Sequence, residues 1–160
     1  MAKQRGKRAP HHGKGNPRDG GAKSNNKPKE PTVCPQCGLL YKEGRWVNQP
    51  GPANAHEQLC PSCVKANSDE PDGILHLSGQ FLHDHIDEIQ ALVEHVEARE
   101  MEEHSLNYII DLEVSPEGMR VTTTDARLAR MIAQAIQGAY DGNLEMGDSE
   151  STPLRIKWER

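Results

Sequence analysis

Four cysteines, the only ones in the chain, form two Cys-x-x-Cys pairs, Cys34–Cys37 and Cys60–Cys63, which are separated by 22 residues. Each pair is a short turn that directs both sulfurs to one side, and proline follows the first cysteine of each pair. Two such turns place four thiolates around one tetrahedral ion. A longer spacer between the pairs adds little entropic cost. The pattern therefore predicts a zinc ribbon with one structural Zn²⁺, whose ligands are Cys34, Cys37, Cys60 and Cys63.

The competing interpretation of the cysteines is a pair of redox dithiols. It is disfavoured because redox motifs of this kind begin a helix after a strand, in a thioredoxin-like pattern that this sequence does not resemble. No cysteine is left over for a disulfide, which favours a reducing compartment. No apolar run approaches the roughly 20 residues that span a bilayer. We therefore predict a cytoplasmic protein without a membrane segment.

The charge of the chain is divided sharply. Residues 1–31 contain nine Lys and Arg against two acidic residues, a net charge of +7, and residues 32–160 contain ten against 22, a net charge of −12. The first segment has almost no large apolar side chains, so it is predicted to be a disordered basic arm. Two interpretations of the arm stay open. It is either a solubilising tail or a phosphate-binding arm for RNA, which would use Lys3, Arg5, Lys7, Arg8, Lys14 and Arg18.

Two small units are predicted after the arm. Residues 32–66 form the ribbon, with short strands at 39–41 and 45–47 around a turn at 42–44. Trp46 is expected to cover the metal site or to contact the neighbouring domain. Residues 67–73 form a linker or turn, and residues 73–160 form the second domain.

The second domain has the predicted order strand, helix, strand, strand, helix, strand. Residues 74–77 read as a strand, residues 80–103 as one amphipathic helix, and residues 106–123 as a hairpin with Tyr108, Ile110, Leu112 and Val114 on one face. A helix capped by Thr124 or Asp125 ends near Gly142, and residues 154–158 form the last strand. This βαββαβ order predicts an α+β, ferredoxin-like layer of four antiparallel strands with both helices on one face. A simpler α+β packing is the alternative.

The polar residues of this domain favour binding over catalysis. The sequence contains no glycine-rich phosphate loop, nucleophile elbow or spare cysteine, so we predict that the protein is not an enzyme. The uncovered sheet face is expected to carry a basic patch of Arg120, Arg155, Lys157 and Arg160 beside Thr122, which suits phosphate contact better than base reading. The acidic residues of helix 80–103 are expected to form a solvated face: Asp84, Asp87, Glu88, Glu94, Glu97, Glu100, Glu102 and Glu103.

Several segments together resemble a known family. They are Cys34–Gly38, Gly44–Trp46, Cys60–Cys63, Gly73–Gly79, Thr122–Asp125, Leu128–Ala129 and Ile156–Arg160. Across residues 32–160 the chain is similar to small prokaryotic zinc-ribbon proteins. These resemble, more distantly, the N-terminal zinc-binding part of the archaeal and eukaryotic adaptor for large ribosomal subunit export. The chain has one four-cysteine set where the eukaryotic adaptor carries more, and it is too short for that adaptor's additional domains. The resemblance implies zinc at the four cysteines and suggests association with ribosomal RNA or the ribosome.

These observations lead to one main hypothesis and two alternatives. The main hypothesis is a non-enzymatic, zinc-binding adaptor that associates with RNA or the ribosome. The first alternative is a protein-interaction or regulatory module in which the acidic helix 80–103 meets a basic protein partner and the arm only solubilises. The second is a redox or zinc sensor.

Overall fold

The computed structural model describes residues 27–160, and the predictions made for residues 1–26 lie outside the described part of the chain. The described residues form a mixed α+β structure with a four-stranded sheet and a five-stranded sheet. In this part of the chain, no helix has both the length and the apolar character to cross a membrane.

The first sheet belongs to the ribbon. Its strands have the order β3-β2-β1-β4. The predicted hairpin of β2 and β3 is confirmed, with Leu40 opposite Val47. At its turn, Glu43 and Gly44 both have positive φ angles, 53° and 80°, and glycine adopts this conformation at little cost. The elements are β1 (Thr32–Val33), β2 (Leu40–Lys42), β3 (Arg45–Val47), β4 (His56–Glu57) and helix α1 (Pro61–Asn67).

The second sheet has the strand order β6-β7-β5-β9-β8. Its strands and helices are β5 (Gly73–Ser78), α2 (Gln80–Asp84), α3 (Ile86–Glu103), β6 (Ile109–Ser115), β7 (Gly118–Thr123), α4 (Ala126–Tyr140), β8 (Asn143–Met146) and β9 (Leu154–Glu159).

This sheet differs from the predicted four antiparallel strands. It has a fifth strand, β8, and β9 pairs in parallel with β5. The extra strand reverses the chain after α4, so that β9 enters the sheet in the direction of β5. Strand β8 was not predicted because it lacks an alternating apolar pattern. Leu144 is its one partly buried apolar residue, and the other residues of the strand are exposed, as is common at a sheet edge.

The predicted single helix 80–103 is also wrong, because α2 and α3 are separate. His85 lies between them with a non-helical φ of −122°. The His85 ring stacks on the Phe81 ring, with the ring centroids 4.2 Å apart. The Arg160 guanidinium also lies over the Phe81 ring. The break is not visible in the sequence because Leu82, Ile86 and Ile89 keep helical spacing across it.

The register of β6 differs from the predicted alternation. A β-bulge lies between Ile109 and Asp111, which pair with consecutive residues of β7. The extra residue places Ile109, rather than Ile110, with Leu112 in the core of the sheet. Tyr108 instead joins the apolar side chains around the cysteines.

The five-stranded sheet and its helices, residues 73–160, are called the larger unit, and its core lies between one face of this sheet and the helices. Leu75, Val121 and Ile156 are opposite one another on the three central strands and are fully buried. Helix α4 contributes Leu128 and Ile132, one turn apart on its apolar face. Burying side chains of this size contributes roughly 1.5–3 kcal/mol each, so this layer is the main source of stability for the unit. Asp125, one of the two predicted caps, accepts a hydrogen bond from Arg127 N at 3.2 Å.

Two of the acidic residues assigned to a solvated face are buried, which corrects that prediction. Glu97 and Glu100 are each 4% exposed. Glu97 Oε1 accepts a hydrogen bond from Ile109 N at 2.9 Å. Glu100 Oε1 accepts one from Asn107 Nδ2 at 3.0 Å and lies 3.2 Å from Arg127 Nε. These carboxylates attach α3 to the beginning of β6 and α4, and the bonds compensate for their burial.

Substituting Glu97 tests this role. Glu97→Ala should lower the free energy of unfolding by about 1–3 kcal/mol, because Ile109 N–H is left buried without its acceptor. Glu97→Gln, which retains an acceptor oxygen, should lose less. Glu88→Ala, at an exposed ion pair of the same helix, should change stability by less than about 1 kcal/mol. Urea unfolding of the three variants measures the difference, and equal losses in Glu97→Ala and Glu88→Ala would contradict the assignment.

Candidate functional site

The four predicted cysteine ligands come together in one cluster. Their sulfurs all lie within 4.8 Å of one another, and Cys37 Sγ is 3.7 Å from Cys60 Sγ. Cys34, Cys60 and Cys63 are buried, whereas Cys37 is exposed. Within residues 27–160, no other group of three or more His, Cys, Asp or Glu side chains is close enough to share a metal ion. This cysteine cluster is the candidate metal centre.

Local backbone geometry positions each pair. In the first turn, Cys34 N donates to Leu39 O at 2.8 Å, and Gly38 N donates to Cys34 O at 2.9 Å. In the second, Cys60 is the N-cap of α1, and its sulfur accepts a hydrogen bond from Cys63 N at 3.4 Å. A backbone N–H at a helix N-terminus stabilises a thiolate. The sequence predicted both turns but not the helix that follows the second.

The cluster has dimensions that suit a metal ion. A sulfur tetrahedron with metal–sulfur bonds of roughly 2.3 Å has edges of about 3.8 Å, which the 3.7 Å between Cys37 and Cys60 matches. Contacts with the other three sulfurs, and then burial, raise the pKa of Cys60. Four thiolates at this distance repel one another, and a divalent cation between them offsets that repulsion. The cluster can therefore hold a metal ion.

A tyrosine from the larger unit completes the surroundings of the cluster. The Tyr108 hydroxyl donates to Cys63 Sγ at 3.2 Å, and the ring is buried. Burial, and then the hydrogen bond to Cys63, raise the pKa of Tyr108. The phenol is therefore held as a donor to the sulfur. Sequence reasoning missed this contact because Tyr108 was assigned to the sheet face, and the bulge that redirects it leaves no sequence signal.

Apolar side chains from both units cover the cluster. Leu39 is buried with it, and Trp46, Met101 and Leu106 pack against it. Trp46 also contacts Tyr41 edge to face, with 5.3 Å between ring centroids. Trp46, expected either to cover the metal site or to contact the neighbouring domain, thus packs against the cysteine cluster and against the Tyr41 ring. A cluster shielded in this way excludes water from most of its ligands.

The second candidate site is the sheet face opposite the core, which we call the open sheet face. Here Arg120 and Lys157 lie directly on either side of His76, on three neighbouring strands. All three side chains are exposed. We call them the basic row. Glu113 and Glu145 lie at its two ends, on β6 and β8.

The third predicted cation of this face, Arg155, lies beside the basic row. It is exposed on β9, two residues before Lys157, and it is opposite Ile74. Thr122, expected beside the patch, is buried, and Arg160, also expected in the patch, lies over the Phe81 ring. Sequence reasoning missed His76 because its place between the cations depends on strand order. The predicted arm cations lie outside the described residues: Lys3, Arg5, Lys7, Arg8, Lys14 and Arg18.

The charges of the open sheet face act on His76. Partial desolvation of the imidazole on the sheet face, and then the positive charges of Arg120, Lys157 and Arg155, lower the pKa of His76 below 6.5. The imidazole is therefore mostly neutral at neutral pH. An anion bound to the basic row would favour its protonated form, because the anion offsets the repulsion from the flanking cations.

Replacing Tyr108 tests its contact with the cluster. Tyr108→Phe should lower metal affinity by about 10–100-fold, because partners that hold a metal ligand usually contribute by that amount. Tyr41→Phe is the matched control, since Tyr41 is also buried in the ribbon but packs on Trp46. Competition with a chromophoric chelator measures both affinities. Equal affinities in the two variants would show that the Tyr108 hydroxyl does not support the metal.

Comparison of the chain with protein-family models, curated proteins and solved structures found no match. The resemblance of residues 32–160 to a zinc-ribbon family therefore stays a prediction, and the two candidate sites rest on their own geometry.

Proposed function

We propose that the protein is a non-enzymatic, zinc-stabilised adaptor that associates with RNA or the ribosome in the cytoplasm. The observation that carries the proposal is the basic row, which presents two cations and an imidazole side by side on an exposed surface. Phosphate groups bind such surfaces by displacing counterions, without reading sequence. The basic residues of the arm add the same type of affinity.

Zinc is the metal that best suits the cysteine cluster. Four thiolates in a tetrahedral arrangement are typical of structural zinc, although iron binds the same ligand set. Four protein ligands leave no open position for substrate or water, so the proposed ion stabilises structure rather than activating a reaction.

The proposed zinc would fix the ribbon in its place beside the larger unit. The ribbon strands are two or three residues long and supply little core of their own. Metal binding contributes folding energy directly in such small units. At the far end of α1, Lys65 Nζ contacts Asp72 Oδ2 at 2.7 Å and Thr124 O at 3.1 Å. The metal and these contacts together would hold α1 against the end of the sheet.

The width of the basic row favours one nucleic-acid strand. Neighbouring β-strands of a sheet are about 4.8 Å apart. The three side chains of the basic row lie on three neighbouring β-strands, so the row spans two such intervals. Beyond it, the exposed acids Glu113 and Glu145 repel phosphates at both edges. A single RNA backbone can lie along the centre of the face and avoid both acids. We propose single-stranded or looped RNA as the ligand class.

The finer fold assignment also belongs to this proposal. Strands β5, β6, β7 and β9 have the spatial order β6-β7-β5-β9, with α3 and α4 packed against the same core. We propose that the larger unit is a variant of the split βαβ layer. The insertion of β8 would account for the reversed direction of its last strand.

Metal analysis tests the first part of the proposal. The purified full chain should contain one zinc per molecule, and removing it with a chelator should unfold the ribbon strands. Cys37→Ser should weaken zinc binding, because one of the four ligands is lost. Elemental analysis, together with circular dichroism before and after chelation, measures these effects. Bound iron, or a metal-free protein with unchanged spectra, would contradict a structural zinc site.

Removing the basic row tests the second part. Arg120→Ala/Lys157→Ala should weaken binding to a single-stranded RNA oligonucleotide. The dependence of log affinity on log salt should become shallower by about 0.7 for each lost phosphate contact. Lys42→Ala/Arg99→Ala, which removes two exposed cations elsewhere, is the control with the same net charge. Fluorescence anisotropy at several salt concentrations gives both quantities. Identical behaviour of the two double variants would exclude the open sheet face as the RNA surface.

The pH dependence of binding provides an independent test. Because the free His76 has a lowered pKa, RNA affinity should rise as pH falls from about 7.5 to about 6. The charged groups around His76 are Arg120 and Lys157 on the neighbouring strands, Arg155 beside them, and Glu113 and Glu145 at the ends of the row.

The corresponding effect on stability has the opposite sign. A histidine whose pKa is lower in the folded state stabilises the fold above pH 6.5 and loses that contribution as pH falls below it. The change in affinity should therefore be measured where the protein remains folded. His76→Gln should remove the pH dependence, and a variant that retains it would show that another group is responsible.

A second candidate function uses the outer face of α2 and α3. Asp84, Asp87, Glu88, Glu102 and Glu103 are exposed there, so a basic protein partner is the alternative to RNA. A complex recovered from native cells that survives RNase treatment, and is lost when Asp87 and Glu88 are neutralised, would favour this function. Loss of the complex with RNase would favour the adaptor.

A further inference from the structure

A cleft lies where the ribbon meets the end of α3, and we propose that it receives the basic N-terminal segment of the same chain, residues 1–26. The cleft has a volume of about 410 Å³, within the usual range of ligand sites. Residues 45–49 of the ribbon line one side. The other side is lined by Ala98, Met101, Glu102, Glu103 and Ser105.

The lining of the cleft suits a lysine or arginine side chain. Trp46 is half-buried and lines the cleft. Glu102 and Glu103 are exposed carboxylates in the last turn of α3, where the helix dipole also attracts cations. A cation on an indole face, hydrogen-bonded to a carboxylate, gains from both contacts. Arg45 lines the ribbon side, so an incoming cation would lie towards α3.

The described chain begins close to this cleft. Glu30 Oε1 accepts a hydrogen bond from Gly44 N at 2.8 Å, and Gly44 precedes Arg45 at the edge of the cleft. Lys23 and Arg18 come four and nine residues before Lys27. Extended chain of those lengths covers at most roughly 13 and 30 Å. Either residue can therefore turn back into the cleft.

Charge and tethering favour this occupant over a free peptide. Residues 1–26 contain seven Lys and Arg against one Asp, a net charge of +6. The chain connection gives a short tethered segment a local concentration of the order of millimolar, so weak contacts are enough to hold it. This docking does not depend on RNA binding. It adds a regulatory contact to the proposed adaptor, because RNA phosphates would have to displace the N-terminal segment from the cleft before they could bind its cations.

Nuclear magnetic resonance of the full, metal-loaded chain tests the proposal. The protein has two tryptophans, and the Trp158 indole donates to Asp141 O at 2.7 Å, away from the cleft, as an internal reference. Arg18→Gln/Lys23→Gln should shift the Trp46 indole N–H resonance and leave that of Trp158 unchanged. Lys3→Gln/Arg5→Gln makes the same charge change farther along the chain from Lys27 and should leave the Trp46 resonance near its original position.

Variants of the opposite wall give a reciprocal test. Glu102→Gln/Glu103→Gln should shift the Trp46 resonance in the direction seen with Arg18→Gln/Lys23→Gln, and combining the four changes should add little. Asp87→Asn/Glu88→Gln, in the first turn of α3, is the control. The shifts should be unchanged on dilution, because the contact is within one chain. Equal shifts in near and far arm variants, no shift in either, or a shift that disappears on dilution would overturn the proposal.

Adding RNA separates this inference from the proposed function. Single-stranded RNA should move the Trp46 resonance of the unsubstituted protein to the position seen with Arg18→Gln/Lys23→Gln. If RNA leaves the resonance unchanged while the arm variants shift it, the segment docks but RNA does not displace it, and the regulatory contact fails while the docking stands. RNA binding to the basic row is measured separately by fluorescence anisotropy, so loss of that binding with an unchanged effect of the arm variants would refute the proposed function and not the docking.

Discussion

The hydrogen bond from Tyr108 to the sulfur of Cys63 joins the two parts of the described chain. The ribbon contributes the cysteine cluster, and the larger unit contributes the buried donor and the apolar cover of Met101 and Leu106. Neither part encloses the sulfurs alone. The contacts of Lys65 with Asp72 and Thr124 O join the same two parts at the other end of α1.

Charged side chains of the larger unit are segregated by sign and by role over its surface. The core of the sheet is apolar, while its open face concentrates positive charge on the central strands and negative charge on the outer ones. The outer face of α3 is acidic, whereas the buried carboxylates of Glu97 and Glu100 on the same helix accept structural hydrogen bonds. Neighbouring charges on one helix therefore differ in role. Glu97 and Glu100 hold the fold, whereas Glu102 and Glu103 remain accessible to a cationic partner.

Local signals in the sequence predicted much of this structure. Cysteine spacing identified the cluster, glycine and turn residues identified the hairpin of β2 and β3, and helical spacing identified the inward face of α4. The signals failed where the outcome depends on tertiary contacts. Edge strand β8 has little apolar character, the break at His85 preserves the spacing around it, and the burial of Glu97 is decided by a backbone N–H of β6. His76 became part of a site through strand order, which a linear sequence does not specify.

The bulge at Ile110 has a consequence for how the protein unfolds. One extra residue in β6 sets the register at the start of the strand, so that Ile109 packs in the core beneath the helices and Tyr108, the residue before the strand, packs against the cysteine cluster. Opening of the sheet at this strand would withdraw the donor from Cys63, and release of the metal would free the beginning of the strand. The bulge thus couples local opening of β6 to the surroundings of the metal ligands, so that protection of the Ile109 amide from hydrogen exchange and retention of the metal should change together.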